Sequence, residues 1–218
     1  MSWQQEKFCS FKLYAVTDVH AKDSRILEKM EWAAKSGADI IQLRSKELTD
    51  REFLRLGEKA KRICHAQRVL FFVNDRADLA WALGADGLHL GQEDLPIRAA
   101  RKLLEKRVLF LGKSTHSLEQ ALRTAKEPVD YIGVGPVFQT PTKPHYVPVG
   151  LKLVHQVAER IRKPFVAIGG INLDNVDQVL RAGASRVAVV RAIFDAKQVS
   201  RATQELKGKL EHLCKINY

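Results

Sequence analysis

The residues able to do chemistry in this chain cluster just past its apolar runs. Gln42, Arg44 and Lys46 close the run IIQLRSK, Asn74 and Asp75 follow RVLFFV, and Gln92 and Asp94 follow DGLHLG. Ser114 and His116 sit in GKSTHS, and DYIGVGPVFQTPTK places Thr140, Thr142 and Lys143 beyond another run. Glycines bare the backbone for close approach, and hydroxyls with fixed positive charges suit an anion. Magnesium prefers carboxylate and phosphate oxygens and keeps several waters, so Asp75 and Asp94 could hold Mg²⁺ bridging to a diphosphate. Either acid could instead cap a helix, and beside the cations the two readings stand level. Gly169 and Gly170 after FVAI, with the turn at Arg191 and Ala192 after RVAVV, offer a second anion site built from backbone. A tight turn that needs glycine is the plainer alternative for that pair.

These residues need elements to carry them, and the apolar periodicity supplies an alternation of strand and helix. Strands are expected at Leu13 to Val16, Ile40 to Arg44, Arg68 to Arg76, around Leu88 and His89, Val108 to Gly112, Tyr131 to Val134, Pro164 to Ile168, and Arg186 to Val190. Helices fall between them. Thr49 or Asp50 starts one, Gly84 ends another, Pro96 suits the first turn of Ile97 to Leu104, and Ser117 with Gln120 forms a capping box. A helix from Leu173 to Ala182 and a last amphipathic one through Val199, Leu206 and Leu210 complete the pattern. The loop from Pro136 to Gly150 is long enough to suggest a function of its own.

Near-continuous apolar strands, each followed by a helix, call for a parallel sheet covered on its outside. For 218 residues this favours an α/β fold of the single-domain (β/α)8 TIM-barrel type over a doubly wound sheet, with residues 1–11 as an N-terminal extension. Both folds place ligands beyond the carboxyl ends of strands. Polar residues after strands are therefore the candidates, while Asp39, Asp86 and Asp130, which precede strands, are expected to be structural. His89 lies within a strand and is expected to be hydrogen-bonded in the barrel. His116 has a structural and an acid–base reading, and His145 is either a substrate contact or a surface residue.

Composition narrows the partners. With 36 Lys and Arg against 25 Asp and Glu the chain carries +11, which favours anions. The basic residues are spread over the helices with acids between them, as at Arg51, Arg55, Lys59, Lys61 and Arg62 or at Lys207 and Lys209. There is no aromatic RNA-binding motif, zinc-finger spacing or long basic tail, so nucleic acid is not an expected partner. Cys9, Cys64 and Cys214 are three in number and far apart, which argues for a reducing compartment and against a disulfide framework or zinc site. Without a long apolar segment the chain is expected to be cytoplasmic, with no membrane partner. A homo-oligomer is compatible with all of this.

Taken in order, LYAVTD, QLRSK, VNDR, DGLHLGQEDLP, GKSTHS, DYIGVGPVFQTPTK, FVAIGGI and VAVVRAI resemble the thiamine-phosphate synthase family, from about Leu13 to Ala196. The resemblance implies a (β/α)8 transferase of thiamine biosynthesis. It would join 4-amino-5-hydroxymethyl-2-methylpyrimidine diphosphate to 4-methyl-5-(2-hydroxyethyl)thiazole phosphate and release diphosphate. It implies a dissociative course, in which diphosphate leaves, a pyrimidine-methyl cation forms, and the thiazole nitrogen attacks it.

Carried over by position, Gln42, Arg44, Lys46 and Asn74 would hold the pyrimidine diphosphate, and Asp75 and Asp94 the Mg²⁺ cofactor. Ser114 would contact diphosphate or pyrimidine, and Lys143 would stabilise the leaving group. Thr140 and Thr142, with backbone at Gly170, Val190 and Arg191, would bind the thiazole phosphate. Lys143, Arg44 and Ser114 are the implied catalytic set. The chain departs from the family pattern at Ser45, usually an acid, at Arg191, usually a small serine, and in the loop KPHYVPVG. Ser45 is expected to point away from the ligand by strand alternation. Two other readings compete: a thiazole tautomerase-like enzyme of the same superfamily, with His116 as its catalytic group, and a non-catalytic phosphate-binding or regulatory homologue.

Overall fold

A computed structural model of the chain describes residues 1–20, 23–105, 107–142 and 146–213. Its strands are β1 (Leu13–Val16), β2 (Ile40–Leu43), β3 (Leu70–Asn74), β4 (Gly87–Leu90), β5 (Phe110–Thr115), β6 (Tyr131–Val134), β7 (Phe165–Ile168) and β8 (Val187–Val189). They pair in parallel in sequence order, and β8 closes onto β1. The helices are α1 (Trp3–Ser10), α2 (Ile26–Lys35), α3 (Asp50–Ala66), α4 (Ala77–Leu83), α5 (Ile97–Leu104), α6 (Leu118–Ala125), α7 (Gly150–Arg160), α8 (Val176–Arg181), α9 (Arg191–Phe194) and α10 (Val199–Leu213). The expected (β/α)8 barrel is therefore observed. No helix among the described residues is long and apolar enough to cross a membrane.

Local signals account for several boundaries. Thr49 accepts from the Glu52 N–H while the Glu52 carboxylate accepts back from the Thr49 N–H, so α3 starts in a full capping box. Gly84 ends α4 in the left-handed region. Ser117 caps α6 through the Gln120 N–H, but the Gln120 side chain accepts from the His116 N–H instead of closing the expected box. Strand β5 runs through Thr115, past the expected end at Gly112. Lys113 looks polar in the sequence, yet it points out of the barrel toward Glu127, 3.8 Å away, and the strand continues beneath it. Helix α8 is shorter than expected, beginning at Val176, because Asn172 and Asn175 form a hydrogen-bonded turn ahead of it.

Alternation divides the strand residues into two sets. Outward residues such as Leu13, Ala15, Ile41, Leu43, Phe71 and Leu111 pack with the helices in the main core. Inward residues Tyr14, Val16, Ile40, Leu70, Phe72, Phe110, Tyr131, Val166 and Ala188 fill the barrel. Helix α1, read from sequence only as part of an extension, serves that interior: Phe8 stacks on Phe110 with ring centroids 4.0 Å apart, and Phe11 lies edge-on to Tyr14 and Tyr131. Side chains at Gly87 and Gly112 would collide with the Phe72 and Tyr131 rings, so glycine there makes the space that the aromatic floor occupies.

The acids that precede even-numbered strands repeat one device. Asp39 accepts from the backbone N–H groups of Lys12 and Leu13 at 2.9 and 3.0 Å, Asp86 from Phe71 at 2.8 Å, and Asp130 from Leu111 at 2.7 Å. Each carboxylate thus ties the start of the preceding strand to its own, as their expected structural role requires. Asp86 is buried and also meets His65 Nε2 at 2.8 Å. Asp86→Ala should lower unfolding stability by about 2–3 kcal/mol, because it strands a buried N–H donor. Chemical denaturation reads the loss, and turnover per folded molecule should stay at the wild-type value.

Candidate active site

The inward series continues above the aromatic floor, and there it turns polar. Ile40 is followed two residues on by Gln42 and then Arg44, Phe72 by Asn74, Gly87 by His89, and Gly112 by Ser114, so each strand lifts its polar residue to the same rim. These side chains line a cavity of about 440 Å³, together with Thr140, Thr142, Gly170, Val190 and Arg191. Gln42, Arg44, Asn74 and Ser114, expected at the pyrimidine diphosphate, thus share one space with the residues expected at the thiazole phosphate. Lys46, Asp75 and Asp94 do not line it, but they join each other next to Asn74. Lys143 lies outside the described residues.

Arg44 is placed by its backbone and by an acid that the sequence reading did not single out. Its N–H donates to Thr17 Oγ1 at 3.0 Å, and Thr17 Oγ1 donates to the Gln42 carbonyl at 3.0 Å. The guanidinium donates to Asp18. Asp18 closes the LYAVTD motif just past a strand end, so it belongs with the polar residues that follow strands. Ser45 Oγ donates to the Val19 carbonyl at 2.7 Å and accepts from the Glu47 and Leu48 N–H groups. It faces away from the cavity as expected and ties the loops after β1 and β2 together.

Asp75 sits in the left-handed region, φ 62°, with its N–H donating to the His89 carbonyl at 2.8 Å. Its carboxylate accepts from Lys46 Nζ at 2.7 Å and is hydrogen-bonded to Asp94. Asp94 in turn accepts from the Gly91 N–H at 2.6 Å. Burial opposes ionisation of Asp75, but the bonds to Lys46 and Asp94 outweigh it and hold its carboxyl below the usual carboxylate range. Burial first, and then the neighbouring Asp75, push Asp94 up.

Two carboxylates packed into contact form a charge arrangement that a hard divalent cation relieves, and all their donor atoms are oxygen. The described residues contain no cluster of three or more His, Cys, Asp or Glu around a common point. A two-acid site of this kind fits Mg²⁺, whose other positions are filled by water and substrate oxygens.

The other end of the cavity is shaped by backbone. Gly169 and Gly170 have φ 102° and 65°, and side chains there would run into Pro136, Phe138 and Gln139. Val137 N–H donates to the Ile168 carbonyl at 2.9 Å and Phe138 N–H to that of Gly169 at 3.0 Å. The glycine pair therefore lets the loops after β6 and β7 interlock, and its turn role coexists with its place in the cavity wall. Arg191 opens the short helix α9, and its Nε donates to Asp195 at 2.8 Å. Asp195 also lines the cavity and had no sequence signal beyond its place after the last strand. His116 Nδ1 meets the Gly135 carbonyl at 2.5 Å, with the Tyr146 ring 4.8 Å away.

A family model described as thiamine monophosphate synthase matches residues 13–193. A thiamine-phosphate synthase of Thermus thermophilus is 49% identical over 185 residues, covering 84% of this chain and 88% of the relative. Another, of Gloeobacter violaceus, is 44% identical over 197 residues, or 90% of this chain and 57% of that longer relative. Among solved structures, a thiamine phosphate pyrophosphorylase from Pyrococcus furiosus superposes with TM-score 0.84 at 37% identity, covering 93% of this chain and 96% of its own.

Proposed function

The chain belongs to the thiamine monophosphate synthase family, and from that premise we propose that it couples the pyrimidine diphosphate to the thiazole phosphate, releasing diphosphate and forming thiamine phosphate. The observation that carries this reading is the junction of Arg44, Asn74 and Ser114 in the cavity wall with the Lys46–Asp75–Asp94 cluster beside it. Departure of a diphosphate is limited by the charge it carries away, and a site with cations and a divalent-metal position answers that problem.

Gln42 and Asn74 orient the pyrimidine, Arg44 and Lys46 bind the diphosphate oxygens, and Ser114 donates to them. Asp75 and Asp94 would hold magnesium, which when bound would supply positive charge to the leaving group. Lys143 is assigned to that same leaving group from its place in QTPTK. Thr140 and Thr142, with backbone at Gly170 and Val190, hold the acceptor phosphate, and Arg191 adds a charge that exchanges Asp195 for that phosphate. The pair it gives up is solvent-exposed at 59% and 58%, so the exchange costs little. The acceptor nitrogen attacks with its own lone pair, so no protein base is required.

The experiment separates this reading from its rivals. Both precursors with Mg²⁺ should give thiamine phosphate, and chelation of the metal should cut the rate at least about tenfold, with recovery on adding Mg²⁺ back. Isomerisation of a thiazole phosphate without the diphosphate substrate, lost in His116→Ala, would instead identify a tautomerase. Binding of phosphates with neither reaction would identify a regulatory homologue.

A further inference from the structure

Along the floor of the cavity a line of hydrogen bonds crosses the barrel. Gln42 Nε2 donates to the Tyr14 hydroxyl at 2.6 Å, Tyr14 and Tyr131 hydroxyls are 3.1 Å apart, and Tyr131 lies 2.8 Å from His89 Nδ1. His89 Nε2 is 2.8 Å from Ser114 Oγ. Every member of the line borders the cavity, and together they join five strands.

Its polarity follows from the chemistry of its first member. A carboxamide nitrogen only donates, and each hydroxyl has one proton to give. Either hydroxyl could donate between the two tyrosines; with Tyr14 already accepting from Gln42, the order that gives each buried proton an acceptor has Tyr14 donate to Tyr131 and Tyr131 to His89 Nδ1. Nδ1 is then an acceptor, so the neutral ring carries its proton on Nε2 and donates to Ser114 Oγ. The Ser114 proton is left for an acceptor in the cavity. Burial raises both tyrosine hydroxyls well above their ordinary range, which keeps them protonated donors. Gln92 Nε2 donates to the Ser114 carbonyl at 2.5 Å and fixes the residue from its backbone side.

We infer that His89 is a positioning residue: held as the Nε2–H tautomer by Gln42, Tyr14 and Tyr131, it turns the Ser114 hydroxyl proton toward the cavity, where, on the reading proposed above, a diphosphate oxygen accepts it. The line also couples the two ends of the pyrimidine site. If the Gln42 amide reversed, every bond would reverse with it, and Ser114 would offer its proton to His89 instead of to the ligand.

The test combines ring-¹⁵N histidine spectra of the full-length protein with kinetics. His89, assigned through its loss in His89→Gln, should show a protonated Nε2 and a bare Nδ1. Tyr131→Phe keeps the ring that fills the floor but removes the donor to Nδ1. It should admit the other tautomer and lower kcat about tenfold, with KM for the thiazole phosphate unchanged. His89→Gln, which can place an N–H near Nε2, should retain more activity than His89→Ala. An Nδ1–H tautomer in the wild type, or full kcat in Tyr131→Phe, would overturn the inference. The tautomer is read without turnover, so a protein that makes no thiamine phosphate but shows Nε2–H would refute the function and leave the polarity standing.

Discussion

Asp94→Ala is expected to lower kcat on the order of 10²- to 10³-fold and to raise the Mg²⁺ concentration needed for half-maximal rate, while KM for the thiazole phosphate stays near the wild-type value. Asp94 is one of two carboxylates at the proposed metal position, paired with Asp75 beside the proposed diphosphate site. The substitution also removes the acceptor for the Gly91 N–H, so a loop effect has to be separated from a metal effect. Asp94→Asn does so, because an amide oxygen can still accept from Gly91 but brings no charge to a cation. A metal role predicts that both variants fail and that excess Mg²⁺ partly rescues them. A loop role predicts that the asparagine variant is active. Titrating Mg²⁺ against initial rate for the two variants decides between them.

Arg44→Ala is the second large effect: kcat/KM for the pyrimidine diphosphate should fall on the order of 10²-fold or more. The guanidinium is only 13% exposed and is already aimed by Asp18, so it is organised before the ligand arrives. Arg44→Lys should recover little, because an ammonium lacks the planar fork that meets two phosphate oxygens together. Asp18 is 30% exposed and regains water when its partner is removed. The thermal midpoint of Arg44→Ala should therefore stay close to wild type, and calorimetry beside the kinetics separates lost binding from lost fold.

Much of this site was legible because a barrel strand repeats every two residues. Once Ile40, Phe72 and Gly112 are inward, Gln42, Asn74 and Ser114 must be inward one step higher, and a parallel barrel brings those steps to one rim. The same logic assigned Asp39, Asp86 and Asp130 to the opposite end, where each holds a strand start.

What escaped the sequence depends on closure. Tyr14 and Tyr131 are 117 residues apart, and as apolar-run residues they carry no mark of a hydrogen-bond line until the barrel brings their rings together. Helix α1 was hidden for a similar reason. Its Phe8 has no helical apolar partners nearby, and its role as a floor is visible only against Phe110. Lys113 ended the fifth strand too early because its polarity was read without Glu127, which follows α6. Arg191 was noticed as a departure, but its tether to Asp195 needed the one-turn helix that follows β8.

The most direct test is a single-turnover reaction of the purified protein with Mg²⁺ and both precursors, with thiamine phosphate and diphosphate quantified together. Both products are expected in equal amounts, formed only when metal and both substrates are present. Demonstrable binding of both precursors without either product would contradict the proposed coupling.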